Sequence, residues 1–205
     1  MKEERVNSIV KIHMSLMVIL GIASIAEVVM ICNLAHTLAP NAVSKSSVYF
    51  MATASILHVL AMCSGFLYLS KGYGKAQAGY YKAFILFVAL SLAISMLSNL
   101  LSIFSGTEAM STNTASIIRF VLVLTMFILL MVLAYAKNLG KQKTWTIYYV
   151  LLAISIVFLC ISIIGLSSAP AVVRLIFQLT RLLSIATIGI AIYSKYADKD
   201  ARGTI

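Results

Sequence analysis

What most limits the folds open to this chain is a recurrence: six times, an apolar run of roughly 20 residues is followed by a short break. At about 1.5 Å of rise per residue, each run as a helix spans the roughly 30 Å of a bilayer's hydrocarbon layer. The runs fall at about residues 12–35, 48–70, 80–104, 115–136, 145–166 and 171–194. Pro40, Gly106 and Pro170 sit where the hydropathy already drops. Lipid satisfies no backbone hydrogen bonds, so segments of this kind must close their own as helices. The expected fold is therefore all-α, a polytopic membrane protein built as a bundle of six transmembrane helices. Residues 1–205 are expected to form that single domain.

Composition excludes the soluble alternative. Hydrophobic residues make up 61% of the chain, charged residues only 11%, and the mean hydropathy is +1.01. The formal charge of +10 does not point to nucleic acid, because the basic residues are scattered through short loops and form no aromatic-interleaved patch. They report topology instead. Of the 16 lysines and arginines, twelve cluster at alternate breaks: Lys2, Arg5 and Lys11; Lys71, Lys75 and Lys82; Lys137, Lys141 and Lys143; Lys195, Lys199 and Arg202. The intervening loops carry only Lys45. Lys and Arg near helix ends are retained on the cytoplasmic side, so both termini are expected there, which an even helix count requires. The first run is too long for a signal-peptide core and is expected to be retained. The chain is expected to be an integral, multi-pass protein of the cell membrane.

A weak internal repeat accompanies this pattern. Helices 2, 4 and 6 end in Lys71-GYG-Lys75, Lys137-NLG-Lys141 and Lys195-YAD-Lys199. Helices 4 and 6 begin alike, Ala115-SIIRFVLVLT and Ala171-VVRLIFQLT, each with an arginine followed at equal spacing by Leu-Thr. Three related hairpins would produce such a pattern, and so would charge selection at helix ends acting on similar compositions. Tyr68, Tyr73, Tyr80, Tyr81, Trp145, Tyr148, Tyr149, Tyr193 and Tyr196 all fall near the predicted cytoplasmic boundary, as an interfacial aromatic belt. Cys32, Cys63 and Cys160 stand alone in apolar runs and are expected to be small buried packing residues.

The residues that cost most in lipid are Glu27, His58, Asn99, Arg119, Arg174, Gln178 and Arg181. Arg174, Gln178 and Arg181 recur at helical spacing and share one stripe of the sixth helix. In the inferred topology, Glu27, Asn33, Asn99, Arg119, Arg174 and Gln178 lie in the outer leaflet, with His58 and Arg181 near the midplane. Glu27 is the single acidic residue within the runs, against three arginines. It is placed to pair with Arg181 or Arg174 while the amides bond across helices. The surplus positive charge suits a carboxylate- or phosphate-bearing ligand, since guanidinium groups bind both bidentately. Ser91, Ser95, Ser98 and Ser102 form a stripe on helix 3 expected to permit close helix approach.

Catalytic signatures are missing from the sequence: no paired carboxylates, GxSxG, HExxH, phosphate-binding glycine loop or acidic metal cluster. Ser55 and His58, one turn apart with Glu27 elsewhere, are the nearest thing to a nucleophile and base. The chain is expected to be neither an enzyme nor a cofactor or metal binder. It is expected to bind or transport a small anionic solute through an outward-facing polar pocket lined by the seven residues above, its partners being the lipid bilayer, that ligand and a partner subunit. Alternatively, it is a non-transporting partner or sensor subunit in which those residues hold the bundle together.

Overall fold

The computed structural model describes residues 2–37, 42–70, 75–104, 110–139, 142–164 and 169–200. Each segment is one helix: α1 (Lys2–Thr37), α2 (Ala42–Ser70), α3 (Lys75–Phe104), α4 (Met110–Leu139), α5 (Gln142–Ile164) and α6 (Ala169–Asp200). Among the described residues there is no strand. All six helices are long and apolar enough to cross a membrane, with candidate spans Val10–Asn33, Val48–Ser70, Gln77–Leu101, Ser116–Ala136, Lys143–Ile163 and Val172–Ser194. Lys71, Lys141, Arg202, Tyr73, Pro40 and Gly106, which entered the topology argument, lie outside the described residues.

Several helices are longer than their apolar runs. The polar leader from Lys2 is helical, and α6 continues to Asp200. Hydropathy marks where hydrocarbon begins, whereas a helix propagates beyond it while its backbone ladder holds.

Cross-helix hydrogen bonds reveal the direction of packing. Glu27 meets Ser55 and Arg181, while Ser24, a turn earlier, meets His58, which reaches Ser184. Rising numbers on α1 thus face falling numbers on α2 and α6, so α1 is antiparallel to both. The short connections give antiparallel neighbours along the rest of the chain, and the start of α1 and the end of α6 lie at the same end of the bundle.

Helix α6 is the central element, with 67% of its span buried, against 28% for α1 and 22% for α5. It packs mainly on α1 and also touches α5, α4 and α2. The most extensive packing joins α2 to α3, and α5 packs more on α4 than on α6. Of the three successive pairs, α1 with α2 and α3 with α4 pack more extensively than α5 with α6.

The exposed large hydrophobic side chains of α1 and α5 are nearly all aliphatic, including Ile19, Ile22, Val29, Val150 and Val157. They form the lipid-facing surface. Cys32, Cys63 and Cys160 are also exposed, which corrects their expected burial. A thiol behaves as a small apolar group and is tolerated against lipid.

The aromatic belt also needs revision. Tyr68, Tyr81, Trp145 and Tyr148 are buried between helices rather than set at the surface, while Tyr149 and Tyr193 are partly exposed. The Tyr81 hydroxyl donates to Leu133 O at 2.8 Å, joining α3 to α4, and that of Tyr148 donates to Ile185 O at 3.1 Å, joining α5 to α6. A phenol carries its own donor, so it satisfies itself on a facing carbonyl without reaching water. Gly189 makes the second of these bonds possible: a Cβ there would collide with the Tyr148 hydroxyl and ring. At Gly65, a Cβ would come within 3.1 Å of Met17 Sδ and 3.2 Å of Phe84 Cδ2, so this glycine lets α1 and α3 close on α2.

Candidate functional site

Polar side chains form a column that begins at His58 and extends away from the chain ends. Three helices build its first two levels with residues three apart, and such residues share a helix face. They are Ser24 and Glu27 on α1, Ser55 and His58 on α2, and Arg181 and Ser184 on α6.

The first level is Ser24–His58–Ser184. His58 is fully buried, with Nδ1 2.7 Å from Ser24 Oγ and Nε2 3.0 Å from Ser184 Oγ. Each serine also reaches a carbonyl of its own helix, Ser24 to Leu20 O at 2.8 Å and Ser184 to Arg181 O at 2.7 Å. A hydroxyl has one proton, and a neutral imidazole has one N–H and one bare nitrogen. With the ring neutral, one serine accepts the ring N–H and keeps its proton on its helix carbonyl. The other turns its proton to the ring. The chain of bonds thus has two directions differing only in tautomer and hydroxyl rotation.

The second level is the ion pair. Arg181 Nη1 donates to Glu27 Oε2 at 2.6 Å, and neither side chain is exposed. Ser55 Oγ donates to the same oxygen at 3.1 Å, and Thr180 Oγ1 donates to Oε1 at 2.6 Å. The rest of the guanidinium is also engaged: Nη1 with Phe177 O at 2.9 Å, Nη2 with Ser55 Oγ at 3.2 Å and Nε with Ser91 Oγ at 3.2 Å. Ser91 in turn donates to Ala54 O at 2.7 Å. The guanidinium carbon lies 3.1 Å from the centre of the Phe177 ring. Burying two opposite charges is tolerable when remaining donors and acceptors find partners, as they do here. Ser55 directs its proton to Glu27 rather than to His58, so these residues do not form a nucleophile–base pair.

The third level is a cavity of about 10 Å³, lined by Met51, Ser95, Ser98, Asn99, Arg174, Phe177 and Gln178. That is room for about one water. Gln178 is only 2% exposed, and its Oε1 is buried without a hydrogen-bond partner. Asn99 is buried and Arg174 half-buried.

The seven residues singled out by sequence therefore fall into separate places. Glu27 and Arg181 pair with each other, and His58 lies one turn along. Asn99, Arg174 and Gln178 share the cavity. Arg119 on α4 is buried and does not line it. Asn33, expected to bond across helices, is exposed. The α3 serine stripe does more than permit close packing: Ser91 supports Arg181, and Ser95 and Ser98 line the cavity. The Ser102 side chain lies outside those described.

Ser24, Thr180 and Ser184 escaped sequence reasoning. Hydroxyl residues are common in membrane helices: a spacing of three from Glu27 or Arg181 is all that distinguishes Ser24 and Ser184, and Thr180 is marked only by adjoining Arg181. Among the described residues no His, Cys, Asp and Glu cluster could hold a metal ion.

The fold and site together define a small six-helix membrane protein with a buried charge pair beneath a polar cavity. The chain matches no protein-family model, and it shows no significant similarity to a curated protein or to a solved structure.

Proposed function

We propose that this protein binds a small anionic solute at the Arg174–Gln178 cavity and moves it across the cell membrane, with both chain termini in the cytoplasm. In that orientation the polar column occupies the outer half of the bundle and the cavity is its outermost level. The observation that carries the reading is the unpartnered Oε1 of buried Gln178 in a cavity that also holds a guanidinium. Buried polar groups are ordinarily satisfied, and one that is not, lining a cavity, calls for a partner there such as a water, an ion or a ligand. Arg181 is spent on Glu27 and is a positioning residue, holding Phe177 and the α6 backbone at the cavity floor. Arg174 is the group that would pair with the solute.

One observation favours a second reading, a non-transporting partner or sensor subunit. In the two inner levels, the side chains of Glu27, His58 and Arg181 are held by protein partners, as a purely structural network would require.

Thermal unfolding of the full chain in detergent, with acetate, phosphate and sulfate at increasing concentration, separates the two. A solute that binds only the folded state raises the melting temperature with concentration. The expected result is such a rise with at least one anion, lost in Arg174→Ala. Curves unchanged across the panel would favour the structural reading. Cysteine labelling at positions 45 and 141 tests orientation: opposite accessibility is expected, and equal labelling from outside would overturn it.

A further inference from the structure

The cavity's geometry says more about its ligand than its charge. Arg174 and Gln178 are four residues apart on α6, so their side chains leave the helix as neighbours, with Cβ atoms about 5–6 Å apart. A compact ligand can touch both with two neighbouring groups. Arg174 offers only donors. Gln178 Oε1 is an acceptor, buried and without a protein partner. A fully ionised carboxylate has acceptors alone, so it answers Arg174 and leaves Gln178 unsatisfied.

Building on the anion reading above, we propose that the ligand is an acid carrying an N–H or O–H donor on the carbon next to its acid group, the class of α-amino and α-hydroxy acids. The acid group pairs with Arg174 and the neighbouring donor bonds Gln178 Oε1. Asn99, Ser95 and Ser98 line the cavity from α3. The present volume holds about one water, so admission requires one wall to move. Phe177 is pinned against Arg181. Met51, with its unbranched thioether, is the wall that gives.

Four matched probes separate the groups: acetate has the acid alone, glycolate adds a hydroxyl, glycine adds an ammonium, and ethanolamine lacks the acid. Binding to the full chain in lipid nanodiscs is measured by titration calorimetry. Glycolate or glycine is expected to bind at least about tenfold more tightly than acetate, from the cost of leaving a buried acceptor unmade, and ethanolamine not at all. Gln178→Leu should remove the advantage over acetate. If that variant fails to fold, Gln178→Glu replaces it and should favour glycine over glycolate. Acetate binding as tightly as both, while Arg174→Gln still weakens it, would overturn the ligand class and leave the anion site standing. Absence of binding by any acid, or binding indifferent to Arg174→Gln, would remove the anion site and this inference with it.

Discussion

On one side of the His58 level the helices are joined by a buried ion pair and the hydroxyls around it; on the other they are joined by close apolar packing and two tyrosine–carbonyl bonds. Toward the chain ends, Met17, Phe84 and Ile188 converge on Gly65, and Tyr148 lies against Gly189. Away from them, α1, α2, α3 and α6 meet through Glu27, Ser55, Ser91 and Arg181. Both halves bury their groups thoroughly, but the penalties for error differ. Trimming one apolar side chain costs only its own share of the packing. A charge left without its partner costs several times more, because lipid offers no replacement. The polar half therefore tolerates single changes badly and paired changes well, whereas the apolar half responds to volume.

The largest effect should follow from separating the ion pair. Arg181→Gln or Glu27→Gln alone should lower unfolding stability by about 3–5 kcal/mol, since each strands a buried charge. The double substitution should recover most of it, as a double-mutant cycle in detergent would register. Two additive losses would mean that Glu27 and Arg181 contribute independently, and the contrast between the halves would be broken. Next, Gly189→Ala should cost about 1–3 kcal/mol through overpacking against Tyr148. Trimming the ring in Tyr148→Leu should relieve part of that loss; stability unchanged in Gly189→Ala would show that α5 and α6 do not depend on this approach.

The smallest effect should be at His58. In His58→Leu both serines retain their own helix carbonyls, so a loss near 1 kcal/mol is expected, in the range of hydrogen bonds between membrane helices. A loss as large as that of Arg181→Gln would show that the histidine level, not the ion pair, anchors the column.

The six spans were legible because lipid imposes length and polarity on each segment separately. Helix ends were less so: α3 begins at Lys75 and α4 at Met110, several residues before their apolar runs, because polar turns continue the backbone ladder. In the site, Glu27 was legible as one half of an ion pair with α6, since it is the single acid within the spans. Which arginine it would choose was not, because α6 offers Arg174 and Arg181 on the same stripe and only the register of α1 against α6 decides. The burial of Tyr81 and Tyr148 was illegible for a similar reason. An aromatic near a helix end suits an interface or a neighbouring helix equally well until its surroundings are known.

The account's central claim is that the two arginines of α6 divide the work, Arg181 holding the fold and Arg174 holding the solute. Titration of glycolate and glycine into Arg174→Gln and into the folded double variant Glu27→Gln/Arg181→Gln tests it directly. The account predicts that Arg174→Gln loses binding at least about tenfold, the difference expected for removal of a charge-assisted hydrogen bond, and that the double variant, which loses only the support of Phe177, still binds and loses less. Binding that survives in Arg174→Gln and disappears in the double variant would contradict it.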